Sequence, residues 1–265
     1  MGMNMLRRAL RNYCLDIAYF VKASSSQDEV SIFIKKLRPA ESEYPLVRIG
    51  GSSDGGYLVP DNLSGIDALY SPGVANNSNF EFTLAEKGIK CYLIDYSVDS
   101  AARHHKNIHF DKKFLGSVDD EMYWTLDTWV EKYTPSDHEL MMQIDIEGAE
   151  YEAFISASQD TLKRFRIIVA EFHGLDSIFN RYGLKLLNLC FDKLLKDFYV
   201  VHLHPNNCEG EVCKWGMKVP RVMEVTLMRK DSTQIVGFAK QFPHPLDETC
   251  VDFNPVINLD ACWYT

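Results

Sequence analysis

The chain has 265 residues, 46% of them hydrophobic, enough for one substantial core. Its net charge of −9 excludes a nucleic-acid backbone as main partner, because phosphate binding needs clustered cations. No apolar run approaches the roughly 20 residues of a bilayer span. The seven cysteines, odd in number and without a CxxC pair, favour reduced thiols in a cytoplasmic protein over a disulfide framework or a structural zinc site.

Residues 3–21 read as a helix with Leu6, Leu10, Tyr13, Ile17 and Val21 on one side and Arg7, Arg8 and Arg11 near the other. Asp16 interrupts what would otherwise be a signal-peptide core. After Ser24–Ser26, Asp28 and Glu29 open a second helix whose stripe is Val30, Phe33, Ile34 and Leu37, stopped before Pro39. Residues 1–40 are therefore expected to form a helical extension on a domain of residues 41–265. The preferred role of that extension is packing on the main domain or on a second copy in a homo-oligomer. The alternative is weak contact of the basic helix with an anionic membrane surface.

From Leu46 the pattern changes. Residues 46–49 and 57–59 flank a glycine-rich run, 50–56, and predict a hairpin. Strands then follow at 66–71, 91–95, 107–110, 140–145, 167–171, 199–204 and 222–228. Helical patterns fall at 80–86, 126–132, 149–158 and 184–196. Strand–helix alternation predicts an α/β, Rossmann-like, mostly parallel seven-stranded sheet with helices on both faces. Pro205-Asn206-Asn207-Cys208-Glu209-Gly210 reads as loop without a helix, so the last strand is expected to be antiparallel.

Ligands bind at the carboxyl ends of strands in such sheets. The first strand runs into Ser71-Pro72-Gly73, with one glycine where a dinucleotide fingerprint needs three, which disfavours a bound pyrophosphate. Asp95 follows Gly73 by 22 residues, the spacing of a carboxylate that accepts ribose hydroxyls. The loop 115–119, with Ser117, lies where an adenine would sit. The fourth strand ends in Asp145-Ile146-Glu147-Gly148-Ala149-Glu150, a carboxylate, a tight turn and a helix start facing the cleft. Glu171 and His173, two apart on an extended segment, point to the same side of the sheet, and His202 and His204 repeat that spacing.

The D-G-G-Y tip at residues 54–57, the S-x-G turn at Ser71 and Gly73, Asp95, the D-x-E-G-A-E string, E-F-H at Glu171 to His173 and H-P-N-N at His204 to Asn207 together resemble the FkbM-type S-adenosylmethionine-dependent methyltransferases. The resemblance covers roughly residues 45–230. It departs at Ala75-Asn76-Asn77, where the family often keeps a second glycine. It implies a class I methyltransferase fold and an O-methyltransferase acting on a saccharide or glycoconjugate hydroxyl. It also implies S-adenosylmethionine held by Asp54, Tyr57, Ser71, Gly73, Asp95, Tyr96, Ser117, Asp145 and Glu147.

Chemically, a sugar hydroxyl needs a base or a metal to react near neutral pH. His173 is the expected general base, with Asp145 and His204 beside it; Glu171, His204, Asn206 and Asn207 are expected to hold the acceptor. The same Asp145, Glu171 and His173 could instead ligate a divalent ion, magnesium or manganese; the metal-free reading is preferred. A NAD-dependent oxidoreductase and a catalytically inactive cofactor-binding scaffold are the alternatives.

Overall fold

The structure, a computed structural model, describes residues 23–52, 55–135 and 137–265; the expected helix at 3–21 and Asp54 lie outside the described residues. The first described helix, α1 (Gln27–Lys36), begins at a reciprocal cap. Ser26 Oγ accepts from Glu29 N at 3.2 Å, and Glu29 Oε2 accepts from Ser26 N at 2.8 Å. Its Val30, Phe33 and Ile34 enter the main core, where Phe33 meets Phe191 edge-on.

In chain order there follow β1 (Ala40–Ser42), β2 (Leu46–Ile49), β3 (Tyr57–Pro60), β4 (Ala68–Pro72), α2 (Asn79–Glu86), β5 (Lys90–Ile94), β6 (Ile108–Asp111), β7 (Phe114–Leu115) and β8 (Tyr123–Trp124). Then come α3 (Leu126–Tyr133), β9 (Leu140–Ile144), α4 (Glu150–Ser156), α5 (Gln159–Leu162), β10 (Phe165–Phe172), α6 (Arg181–Asp197), β11 (Phe198–Lys214), β12 (Met217–Arg229) and β13 (Ile235–Phe238). The expected seven-stranded sheet is present, in the order β11-β12-β10-β9-β4-β5-β6. Only β12 runs against its neighbours. β4 and β9 are buried along their whole length, as strands covered on both faces must be. The glycine-rich hairpin is β2 paired with β3.

Two readings change. The segment 205–210 is not a loop: β11 continues through it to Lys214, absorbing the irregular sequence in a register shift between Asn206 and Glu211. The reversal comes later, at Trp215 (φ 55) and Gly216 (φ 79), the pair of left-handed residues that closes a two-residue hairpin. The helix expected at 149–158 is broken at Ala157, which turns extended, and Ser158 caps α5 through Thr161 N.

Alternation along the strands divides the interior. Tyr70, Met142, Ala170 and Val225 face one core with α1, α3, α4 and α6, while Leu69, Met141 and Val169 face a second core with α2 and the β2–β3 hairpin. By the same alternation Ser71, Gln143, Glu171, Glu224 and His204 fall on the second face, a buried polar band across five strands. The β2–β3 hairpin covers this band. Thr226 Oγ1 donates to Leu58 O at 2.7 Å, and Gln143 Nε2 donates to Tyr57 Oη at 3.2 Å.

Candidate functional site

The turn after β4 is the closest backbone approach at the strand ends. Gly73 has φ +83°, and a Cβ there would stand 1.7 Å from the carbonyl oxygen of Asp145. Only glycine fits. Ala75 also takes a positive φ, 40°, and its N–H donates to Asp95 Oδ2 at 2.8 Å. The other oxygen of Asp95 accepts from Ser97 N and Oγ, at 2.8 and 2.6 Å. Above these groups opens a cavity of about 240 Å³, lined among others by Gly73, Asp95, Phe114, Leu115 and Glu147. A smaller one of about 80 Å³ shares Gly73, Ala75 and Asp145 with it and is lined by Tyr57, Asn77 and Gln143.

The D-x-E-G-A-E string folds around its last carboxylate. Glu147 (φ 55) and Gly148 (φ 103) are both left-handed, which turns two backbone donors inward. Glu150, fully buried, accepts with Oε1 from Ile146 N (3.0 Å) and Gly148 N (3.1 Å), and lies 3.1 Å from His173 Nδ1. Tyr151 Oη donates to the His173 carbonyl at 2.9 Å. His173 is thus fixed from two sides, and its other nitrogen, Nε2, faces three more carboxylates. Glu147 Oε2 is 3.5 Å away, Asp145 Oδ1 3.9 Å and Glu171 Oε1 3.9 Å. Burial lowers the basicity of His173, but the hydrogen bond and charge of Glu150, with Asp145 and Glu147 behind it, outweigh burial and raise its pKa to about 9.

Ligand atoms of Asp145, Glu171 and His173 all lie within 4.8 Å of one another, so this set could hold a divalent ion. Glu171 also takes Nδ2–H of Asn206 at 2.8 Å. Glu150 was missed as a site residue by sequence reasoning. Its signal is local: a carboxylate four residues after Ile146 at a helix start, placed to close the turn it follows.

The remaining expected residues divide. Ser71 lies beneath the turn, with its hydroxyl 2.6 Å from Glu81 Oε1 and 2.7 Å from Gln143 Oε1. Burial pushes Glu81 up to about 7. Tyr57 is buried over Phe80 and reaches the smaller cavity. Tyr96 packs at a tilt against Phe114, a wall of the larger cavity, at 5.2 Å between ring centres. Ser117 donates to Glu152. His204 is apart from His173, grouped with Glu224 and Cys250. Asn207 is spent on the C-terminal segment, donating to Val251 O and accepting from Val251 N, at 2.8 and 2.9 Å. A further cavity of about 470 Å³, lined by Tyr44, His202, Phe242 and His244, lies away from the strand ends that carry the carboxylate cluster.

No curated protein matches the chain. The crystal structure of EvdMO1 is similar at 11% identity and a TM-score of 0.29, over 77% of this chain and 48% of that one. The chain spans about half the length of that protein, and so weak a likeness bears on nothing further. The methyltransferase FkbM domain matches residues 59–194, more than half of the chain. The matched span runs from β3 into α6 and takes in Gly73, Asp95, the D-x-E-G-A-E string and His173. The chain belongs to the FkbM methyltransferase family.

Proposed function

We propose that the protein is an S-adenosylmethionine-dependent O-methyltransferase whose acceptor is a hydroxyl of a saccharide or glycoconjugate, built on the class I methyltransferase fold. The observation that carries this reading is the His173 cluster, whose Asp145, 3.9 Å from His173 Nε2, lines both of two abutting cavities together with Gly73 and Ala75. The cavities suit the cofactor. The Asp95 carboxylate accepts ribose hydroxyls, with Tyr96, Phe114, Leu115 and Ser117 on the adenine side. Tyr57, Asn77 and Gln143, with Ser71 beneath, take the amino-acid end. When bound, the cofactor supplies an electrophilic methyl group on a sulfonium.

The protein's part is to bring the acceptor oxygen in line and remove its proton. His173 Nε2 takes that proton, Glu150 on Nδ1 stabilises the imidazolium, and Asp145 and Glu171 orient the hydroxyl. Asn206, already bonded to Glu171, extends the acceptor side. His204 and Asn207 face other neighbours, so we assign neither a contact with the acceptor. The carboxylates that steady His173 also hold its proton to about 9, which weakens it as a base at neutral pH.

A second reading answers that weakness. Asp145, Glu171 and His173 would hold magnesium or manganese, with Glu150 on the outer ring nitrogen as the carboxylate that aims a ligating histidine. The chemistry such an ion would supply is Lewis acidity toward the acceptor hydroxyl.

One experiment tests both. Purified protein is incubated with methyl-labelled S-adenosylmethionine and a panel of saccharides, with and without EDTA. Label on a sugar oxygen supports the function, and transfer only to nitrogen or carbon nucleophiles overturns it. Transfer unchanged by EDTA selects the base; transfer abolished by EDTA and restored by magnesium or manganese selects the ion.

A further inference from the structure

On the same sheet face, beyond Glu171, lies a second cluster that the methyl-transfer reading does not use. Glu171 of β10 pairs in register with Glu224 of β12, and Glu224 with His204 of β11. Cys250 reaches this row from the irregular C-terminal segment, its thiol donating to Glu224 Oε1 at 3.2 Å. A ring nitrogen of His204, a carboxylate oxygen of Glu224 and Cys250 Sγ all lie within 4.8 Å of one another.

His204 is only 8% exposed, yet neither ring nitrogen has a hydrogen-bond partner. Its nearest acid is Asp247 Oδ2, 3.6 Å from Nδ1 and beyond hydrogen-bond reach. Asp247 is already committed, to His202 Nε2 at 2.8 Å and His244 N at 2.7 Å. An interior imidazole that makes no hydrogen bond and has only a longer ion pair, to Asp247, is uncommon, and it faces a carboxylate and a thiol.

We propose that His204, Glu224 and Cys250 bind one divalent cation of the zinc class. One nitrogen, one oxygen and one sulfur suit a borderline-soft ion, and the sulfur disfavours magnesium and calcium. Bond lengths of about 2.0–2.3 Å place tetrahedral ligand atoms roughly 3.3–3.8 Å apart, inside the 4.8 Å span that this set occupies. The Cys250 S–H bond breaks as the S–metal bond forms, and its proton leaves to water. Three protein ligands leave a fourth position for water. Bound there, the ion ties the C-terminal segment to β11 and β12, where Asn207 already holds Val251.

The test is a cobalt titration of the whole chain after treatment with EDTA, followed by displacement with zinc. The expected result is a near-ultraviolet thiolate-to-cobalt band of one thiolate per chain, which zinc abolishes. Cys250→Ser should lose the band, and Glu224→Gln should weaken zinc binding 10-fold or more. Asp145→Asn should leave the band unchanged, because that cluster contains no sulfur. This readout needs neither cofactor nor acceptor, so it succeeds or fails independently of methyl transfer. No band in the wild-type protein overturns the proposal, as does a band that persists in Cys250→Ser. Should Cys250→Ser fail to fold by circular dichroism, an unaltered zinc affinity in Glu224→Gln overturns it instead.

Discussion

Glu150 has no exposed surface, and one oxygen serves two backbone donors and an imidazole. Glu150→Ala leaves those partners unmatched in the interior and should cost about 1–3 kcal/mol of stability, read by chemical denaturation. Glu150→Gln keeps an acceptor oxygen but removes the charge. The imidazole of His173 should then titrate below about 9 by NMR, since Glu150 is the largest influence raising it; an unmoved titration would show that the other carboxylates suffice. His173→Ala should lower turnover on the order of 10²–10⁴-fold with little change in cofactor affinity, and higher pH should partly rescue it under the base reading. Asp95→Ala should weaken S-adenosylmethionine by roughly 1–3 kcal/mol in calorimetry. Unchanged affinity would leave Asp95 with only its loop bonds to Ala75 and Ser97.

At the scale of elements, the two glycines beside the site do different work. Gly73→Ala drives a Cβ into the Asp145 carbonyl at 1.7 Å, which β4 and β9 relieve only by parting. Its cost should reach or exceed the top of the roughly 1–3 kcal/mol range of overpacked sites. Gly148 has φ +103° but nothing within 4 Å of a Cβ, so Gly148→Ala should cost only about 1–2 kcal/mol of backbone strain. Equal losses in denaturation would show that the Gly73 approach relaxes. The strands and the tip of the β2–β3 hairpin were legible from alternation and glycine content. The extension of β11 was not, because Asn206, Asn207 and Gly210 carry loop chemistry that a register shift and long-range bonds accommodate.

For the whole molecule, pH enters through Glu81. Its carboxyl is raised by burial to about 7, and the adjoining Ser71 hydroxyl stands near two acceptors with one proton to give. A protonated Glu81 donating to Ser71 satisfies all three groups. Because the folded-state pKa is raised, the contribution is whole below about 4.5, the ordinary value, and is lost as pH rises through about 7. Unfolding free energy should therefore fall between those values, by no more than about 3 kcal/mol from this group. Glu81→Gln should flatten that slope; an unchanged slope would place the titration elsewhere. Composition and alternation by themselves determined the α/β class and the seven strands, because burial on two faces writes itself as apolar runs of strand length. The antiparallel last strand was expected only from the lack of a helix after His204, in a segment that proved to be strand. The D-x-E-G-A-E and E-F-H strings likewise marked Asp145, Glu171 and His173 as neighbours, because strand ends gather at one edge of a parallel sheet. Only the tertiary structure decided that Glu150 steadies His173, that Asn207 holds the C-terminal segment, and that His204 meets Glu224 and Cys250. Those partners lie 20 residues or more apart along the chain, and no local spacing records which side chains strand pairing and packing bring within bonding distance.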